Sequence, residues 1–145
     1  MPDSSTMIAL IIAAGVAQFA IAAVSLGLPH VLKWRKEFAK LQPLNRHIFW
    51  VYSAYIFGTN VAIAALSTFA PDWLLDGSML AVAVAGYITL YWGARFFIQI
   101  FSYRGADVPQ GIQYRVADVL FTLVFGYLTV VYGMAMAIRC RVCGT

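Results

Sequence analysis

Four apolar stretches, residues 7–28, 48–70, 78–101 and 119–138, follow one another along the chain with little between them. Each is about the 20 residues that an α-helix needs to cross a ~30 Å hydrocarbon core at 1.5 Å per residue. Together they hold one full charge, Arg95. The pattern predicts an all-α polytopic membrane protein: one domain over residues 1–145, built as an antiparallel four-helix transmembrane bundle.

The polar positions gather in the connections. Between spans 1 and 2, residues 31–41 place Val31, Trp34, Phe38 and Leu41 at helical spacing, with Lys33, Arg35, Lys36, Glu37 and Lys40 filling most other positions. This spacing predicts a short amphipathic helix on the membrane surface, or a polar extension of span 1. Span 1 is expected to end at Pro29, and Pro43 to end the amphipathic segment. The run Arg46-His47-Ile48-Phe49-Trp50-Val51-Tyr52 opens span 2 with an aromatic belt, and Trp73 marks the opposite interface.

Charge then orients the bundle. The connection between spans 1 and 2 carries Lys33, Arg35, Lys36, Lys40 and Arg46, and that between spans 3 and 4 carries Arg104 and Arg115. The connection between spans 2 and 3 has no basic residue and contains Asp72 and Asp76. The positive-inside rule puts both basic connections in the cytoplasm, and so both termini outside, despite Arg139 and Arg141 near the C-terminus. The N-terminal Met1-Pro2-Asp3-Ser4-Ser5-Thr6 lacks the basic region of a signal peptide, so span 1 is read as retained. The 145 residues are 62% hydrophobic and 11% charged, against about 25% charged in soluble domains. That leaves no room for a soluble domain. The net charge of +4 reports orientation and does not point to nucleic acid.

Small residues recur four apart: Ala9, Ala13 and Ala17; Ala54, Gly58 and Ala62; Ala81, Ala85, Thr89 and Gly93; Thr129, Gly133 and Ala137. They let helix backbones approach where lipid gives no hydrophobic drive. The expectation is a compact bundle with a face open to other membrane subunits or to a second copy.

Few side chains carry chemistry. Arg95 lies about two turns from the cytoplasmic end of span 3 and shares a face with Tyr91, Gln99 and Ser102. Asp118 opens span 4 on the same side, one turn after Tyr114. A lone intramembrane arginine is costly, so an Arg95–Asp118 pair is expected, with Gln99 or Tyr114 beside it. An Arg95 that points elsewhere, lined by Tyr91 and Trp92, would instead suit a lipid headgroup or anion. Gln18 and Asn60 fall at similar depth in spans 1 and 2 and are expected to pair. His30 and His47 flank the first connection and could ligate a b-type haem, but no ligand cluster supports a metal site. Cys140 and Cys143 form Cys-Arg-Val-Cys beyond span 4, where an external C-terminus would permit a disulfide. No phosphate-binding glycine loop, HExxH or GxSxG occurs.

The segments Arg46-His47-Ile48-Phe49-Trp50-Val51-Tyr52 and Tyr91-Trp92-Gly93-Ala94-Arg95-Phe96-Phe97-Ile98-Gln99 resemble a family of small bacterial four-span membrane proteins with R-x-x-F-W-V-Y and W-x-x-R-x-x-x-Q segments. The resemblance implies a bacterial inner-membrane location and nominates Arg46, Trp50, Tyr52, Trp92, Arg95 and Gln99. It carries no activity. The favoured reading is a non-catalytic accessory or interaction subunit of a membrane complex. The alternatives are a redox or lipid/quinone-binding protein using His30, His47 and the Arg95 region, and a small oligomeric transporter.

Overall fold

The computed structural model describes residues 3–31, 33–102 and 112–143. They form α1 (Ser4–Val31), a single turn α2 (Trp34–Phe38), α3 (Pro43–Phe69), a 3-10 turn (Pro71–Leu74), α4 (Met79–Ser102) and α5 (Ile112–Cys143). Four of these helices, α1, α3, α4 and α5, are long and apolar enough to cross a membrane, and the described residues contain no strand. The expected four-helix transmembrane bundle is the fold observed.

The helices overrun the apolar stretches, because apolar composition marks what lipid covers and not where helical hydrogen bonding stops. α1 runs past Pro29 to Val31. In its last turns Ser25 Oγ donates to the Ile21 carbonyl at 2.8 Å, an i−4 back-bond. Lys33, two residues beyond α1, has a left-handed φ of 50°. Pro43 begins α3 instead of only closing the preceding segment, since proline at a first helical position gives up no hydrogen bond. Ser78 caps the start of α4, its Oγ accepting from Ala81 N at 3.1 Å, after the left-handed Gly77.

The amphipathic segment shrinks to the one turn of α2. Its apolar side is folded onto its own chain: the Trp34 and Phe38 rings lie 5.1 Å and 4.3 Å from that of Phe49, and Trp34 also contacts Trp50. This aromatic cluster ties the first connection to the start of α3.

Two helical hairpins make up the bundle. α1 packs along α3, and α4 along α5; the hairpins meet chiefly through α1 and α5. Close approach depends on small residues. A Cβ at Gly15 would fall on Thr68 Oγ1 and lie 3.1 Å from the Ala64 carbonyl, so α1 and α3 touch backbone to backbone there. Gly93 meets Thr129 and Gly133 meets Thr89, which seats α4 on α5. Ala81 and Ala85 are buried in the same seam. The Ala54, Gly58 and Ala62 stripe of α3, and Ala9 and Ala13 of α1, are exposed instead.

The core sits at one end. Met7, Ile11, Leu74, Ile88, Trp92, Leu128 and Tyr132 fill it, next to the 3-10 turn. Residues 23–31, 43–59, 93–102 and 112–124 include no buried side chain among those described. Burial is therefore greatest at the turn end, and the described side chains toward the basic end, which carries Lys33, Lys36, Arg46 and Arg115, are half-buried or exposed.

Candidate functional site

Polar side chains hold the hairpins together. Gln18 of α1 is fully buried, and its Nε2 donates to the Tyr132 hydroxyl at 2.6 Å and to the Ala14 carbonyl at 3.2 Å. Ser67 of α3 donates to the Ile63 carbonyl at 2.8 Å, which leaves the Tyr132 hydroxyl as donor in their 2.5 Å contact. One tyrosine of α5 thus clamps both helices of the other hairpin. A second link joins α4 to α3, with the Tyr91 hydroxyl donating to Asn60 Oδ1 at 2.7 Å. A third joins α5 to α1, from the Tyr127 hydroxyl to the Leu10 carbonyl at 3.0 Å.

Gln18 and Asn60 are both buried, as polar side chains inside a bundle should be. Their hydrogen bonds do not join them to each other, however, and the expected pair is replaced by two pairs to tyrosine. The reason is reach. A phenolic hydroxyl stands at the tip of a long rigid ring, so it spans the gap between hairpins that two short amides on neighbouring helices do not need to span. Tyr132 and Ser67 were not among the sequence-predicted residues. The one signal for Tyr132 was a tyrosine placed away from the interfacial belt, where its hydroxyl has to find a protein partner.

Arg95 occupies a different setting. It lies two turns before the end of α4 at Ser102, roughly 10 Å along the axis. Its guanidinium carbon is 5.2 Å from the centroid of the Tyr91 ring and 5.8 Å from that of Trp92. Both rings precede Arg95 in the helix, so the head group reaches back toward the middle of α4 and does not snorkel to the near end. Cation–π contact stabilises it by about 0.5–2 kcal/mol, depending on desolvation. An arginine at the centre of a membrane helix costs ~2.5–3.5 kcal/mol on insertion scales. The rings therefore offset the cost only in part.

The expected Arg95–Asp118 ion pair is not formed. Asp118 is exposed, and its Oδ1 accepts from Gln99 Nε2 at 2.6 Å. Gln99 lies one turn beyond Arg95, and the carboxylate of α5 reaches that turn and not the one above. Among the described residues Arg95 has no carboxylate partner; it lies beside Tyr91, whose hydroxyl donates to Asn60. Tyr114 is half-buried in the first turn of α5.

The chain matches no protein-family model, no curated protein and no solved structure. The geometry must therefore carry the functional reading. His30, in the last turn of α1, and His47, near the start of α3, are both exposed. No group of three or more potential metal ligands occurs among the described residues. Cys140 and Cys143 fall in the last turn of α5, and their side chains lie outside the described residues, as do those of Arg139 and Arg141. Of the other positions nominated by resemblance, Trp92 is fully buried against Phe125, while Arg46, Trp50 and Tyr52 are exposed.

Proposed function

We propose that this integral membrane protein is a non-catalytic accessory subunit of a membrane complex, docked to a neighbouring helix through α3. The charge asymmetry of its connections favours both termini outside, and the family resemblance of its Arg46–Tyr52 and Tyr91–Gln99 segments favours a bacterial inner membrane. The observation that carries the reading is Gly58. Only Asn60, Ile63, Ala64 and Ser67 of the 27 residues of α3 are buried. A Cβ at Gly58 would meet nothing within 4 Å, as at Gly27 near the end of α1, whereas Gly15, Gly86, Gly93, Gly126 and Gly133 each face a neighbour. Glycine inside a helix costs roughly 0.5–1 kcal/mol relative to alanine. Packing within this chain gives no return for that cost at Gly58. A second helix lying along Ala54, Gly58 and Ala62 does, because these residues let its backbone approach closely.

The test is Gly58→Leu, which fills the strip without touching the fold. Membranes solubilised in mild detergent should give wild-type protein at a mass above the monomer. Gly58→Leu should fall to monomer mass with unchanged helical circular dichroism. A monomeric wild type, or an equally large assembly for the variant, contradicts the proposal.

A further inference from the structure

Arg95 is held where a cation needs an anion, and the described residues supply none. A guanidinium carries five N–H donors in a plane. The Tyr91 and Trp92 rings lie close to it, but ring faces take no strong hydrogen bonds from its edge. The Tyr91 hydroxyl can accept at most one of those donors while it gives its own proton to Asn60. Asp118, at the start of span 4, is engaged by Gln99 one turn further along α4.

The surroundings of Arg95 are open. The Asn60–Tyr91 bond joins α3 to α4, and no side chain of residues 43–59 or 93–102 is buried among those described. One turn below that bond, Ile56 follows Asn60 on α3 and Arg95 follows Tyr91 on α4, by helical spacing. Arg95 therefore lies one turn from the Asn60–Tyr91 bond toward the basic end. Lys33, Lys36, Arg46 and Arg115 are all exposed at that end, so its field attracts anions.

From this geometry we infer that Arg95 binds a phosphate oxyanion that approaches from the basic end. A planar fork of donors suits two phosphate oxygens at once, and the flanking rings fix its orientation. Two sources share this chemistry: the phosphate of an anionic lipid headgroup, and free phosphate. The inference does not depend on the docking role of α3, because Arg95 and the Gly58 strip are on different helices.

The experiment uses the purified full-length chain in detergent. Phosphatidylglycerol and phosphatidylcholine are titrated with native mass spectrometry as readout, and inorganic phosphate by calorimetry. The variants are Arg95→Gln and Ile56→Glu; the second leaves Arg95 in place and offers it an internal carboxylate, so the test survives if the first variant fails to fold. Wild type should bind phosphatidylglycerol at least tenfold more tightly than Ile56→Glu does, and more tightly than it binds phosphatidylcholine. Saturable binding of inorganic phosphate, lost in the variant, would assign the site to the free anion; its absence alongside lipid binding assigns the headgroup. Equal affinity of wild type and Ile56→Glu for every probe, or no binding by wild type, overturns the inference.

Discussion

Replacing Tyr132 by Phe removes one oxygen atom from the middle of the bundle and should loosen both hairpins at once. The ring, fully buried, keeps its packing. What is lost is the acceptor for Gln18 Nε2 at 2.6 Å and the donor to Ser67 Oγ at 2.5 Å. Interhelical side-chain hydrogen bonds in membrane proteins contribute about 0.6 kcal/mol on average and up to about 1.7. Two of them give roughly 1–3 kcal/mol. Gln18 keeps its bond to Ala14 but leaves one N–H unpaired at a fully buried position, and its Oε1 has no partner among the described residues. The upper half of the range is therefore expected. Unfolding in mixed micelles, followed by circular dichroism across a denaturing-detergent titration, measures the change. Gln18→Leu and the double variant close a cycle, and a coupling of about 0.6–1.7 kcal/mol is expected between the two sites. A Tyr132→Phe protein within ~0.3 kcal/mol of wild type, or strict additivity in the cycle, would refute the claim that this hydroxyl joins the hairpins.

Two further variants separate packing from polar contact. Gly15→Ala puts a methyl group onto Thr68 Oγ1 and against the Ala64 carbonyl, and should destabilise the same unfolding transition by about 1–3 kcal/mol, while Gly58→Ala in the isolated protein should be neutral or slightly stabilising. Equal effects at the two glycines would mean that α1 and α3 do not touch as described. Arg95→Ala and Asp118→Ala should add within ~0.5 kcal/mol, because Asp118 is bonded to Gln99 and not to Arg95; a coupling above ~1 kcal/mol would restore the ion pair.

The span count was legible because one property, the length of uninterrupted apolar sequence, answers directly to bilayer thickness. Helix ends were less so: Pro43 and Pro29 read as stops, yet one starts α3 and the other sits inside α1. A proline forbids only its own backbone bond, and at either end of a helix little else depends on it. Partner choice was the least legible. Gln18 and Asn60 stood out as buried polar residues, and both are buried, but which tyrosine reaches each depends on how the hairpins are set against each other. Periodicity along one helix holds no such information. The same limit applies to Arg95: spacing placed it on a face with Tyr91 and Gln99, and only the packing of α4 on α5 decides that Asp118 meets Gln99. The small-residue stripes were correct as a pattern and ambiguous as to use. Those of α4 and α5 face each other, and that of α3 faces outward.

The central claim is that this outward face of α3 is covered by another helix. A photocrosslinking amino acid placed in turn at positions 54 to 66 in native membranes tests it directly. Protein adducts should peak at Ala54, Gly58 and Ala62, four residues apart, and vanish at the buried Asn60, Ile63 and Ala64. Adducts with lipid alone, or a yield with no helical period across the scan, would contradict the account.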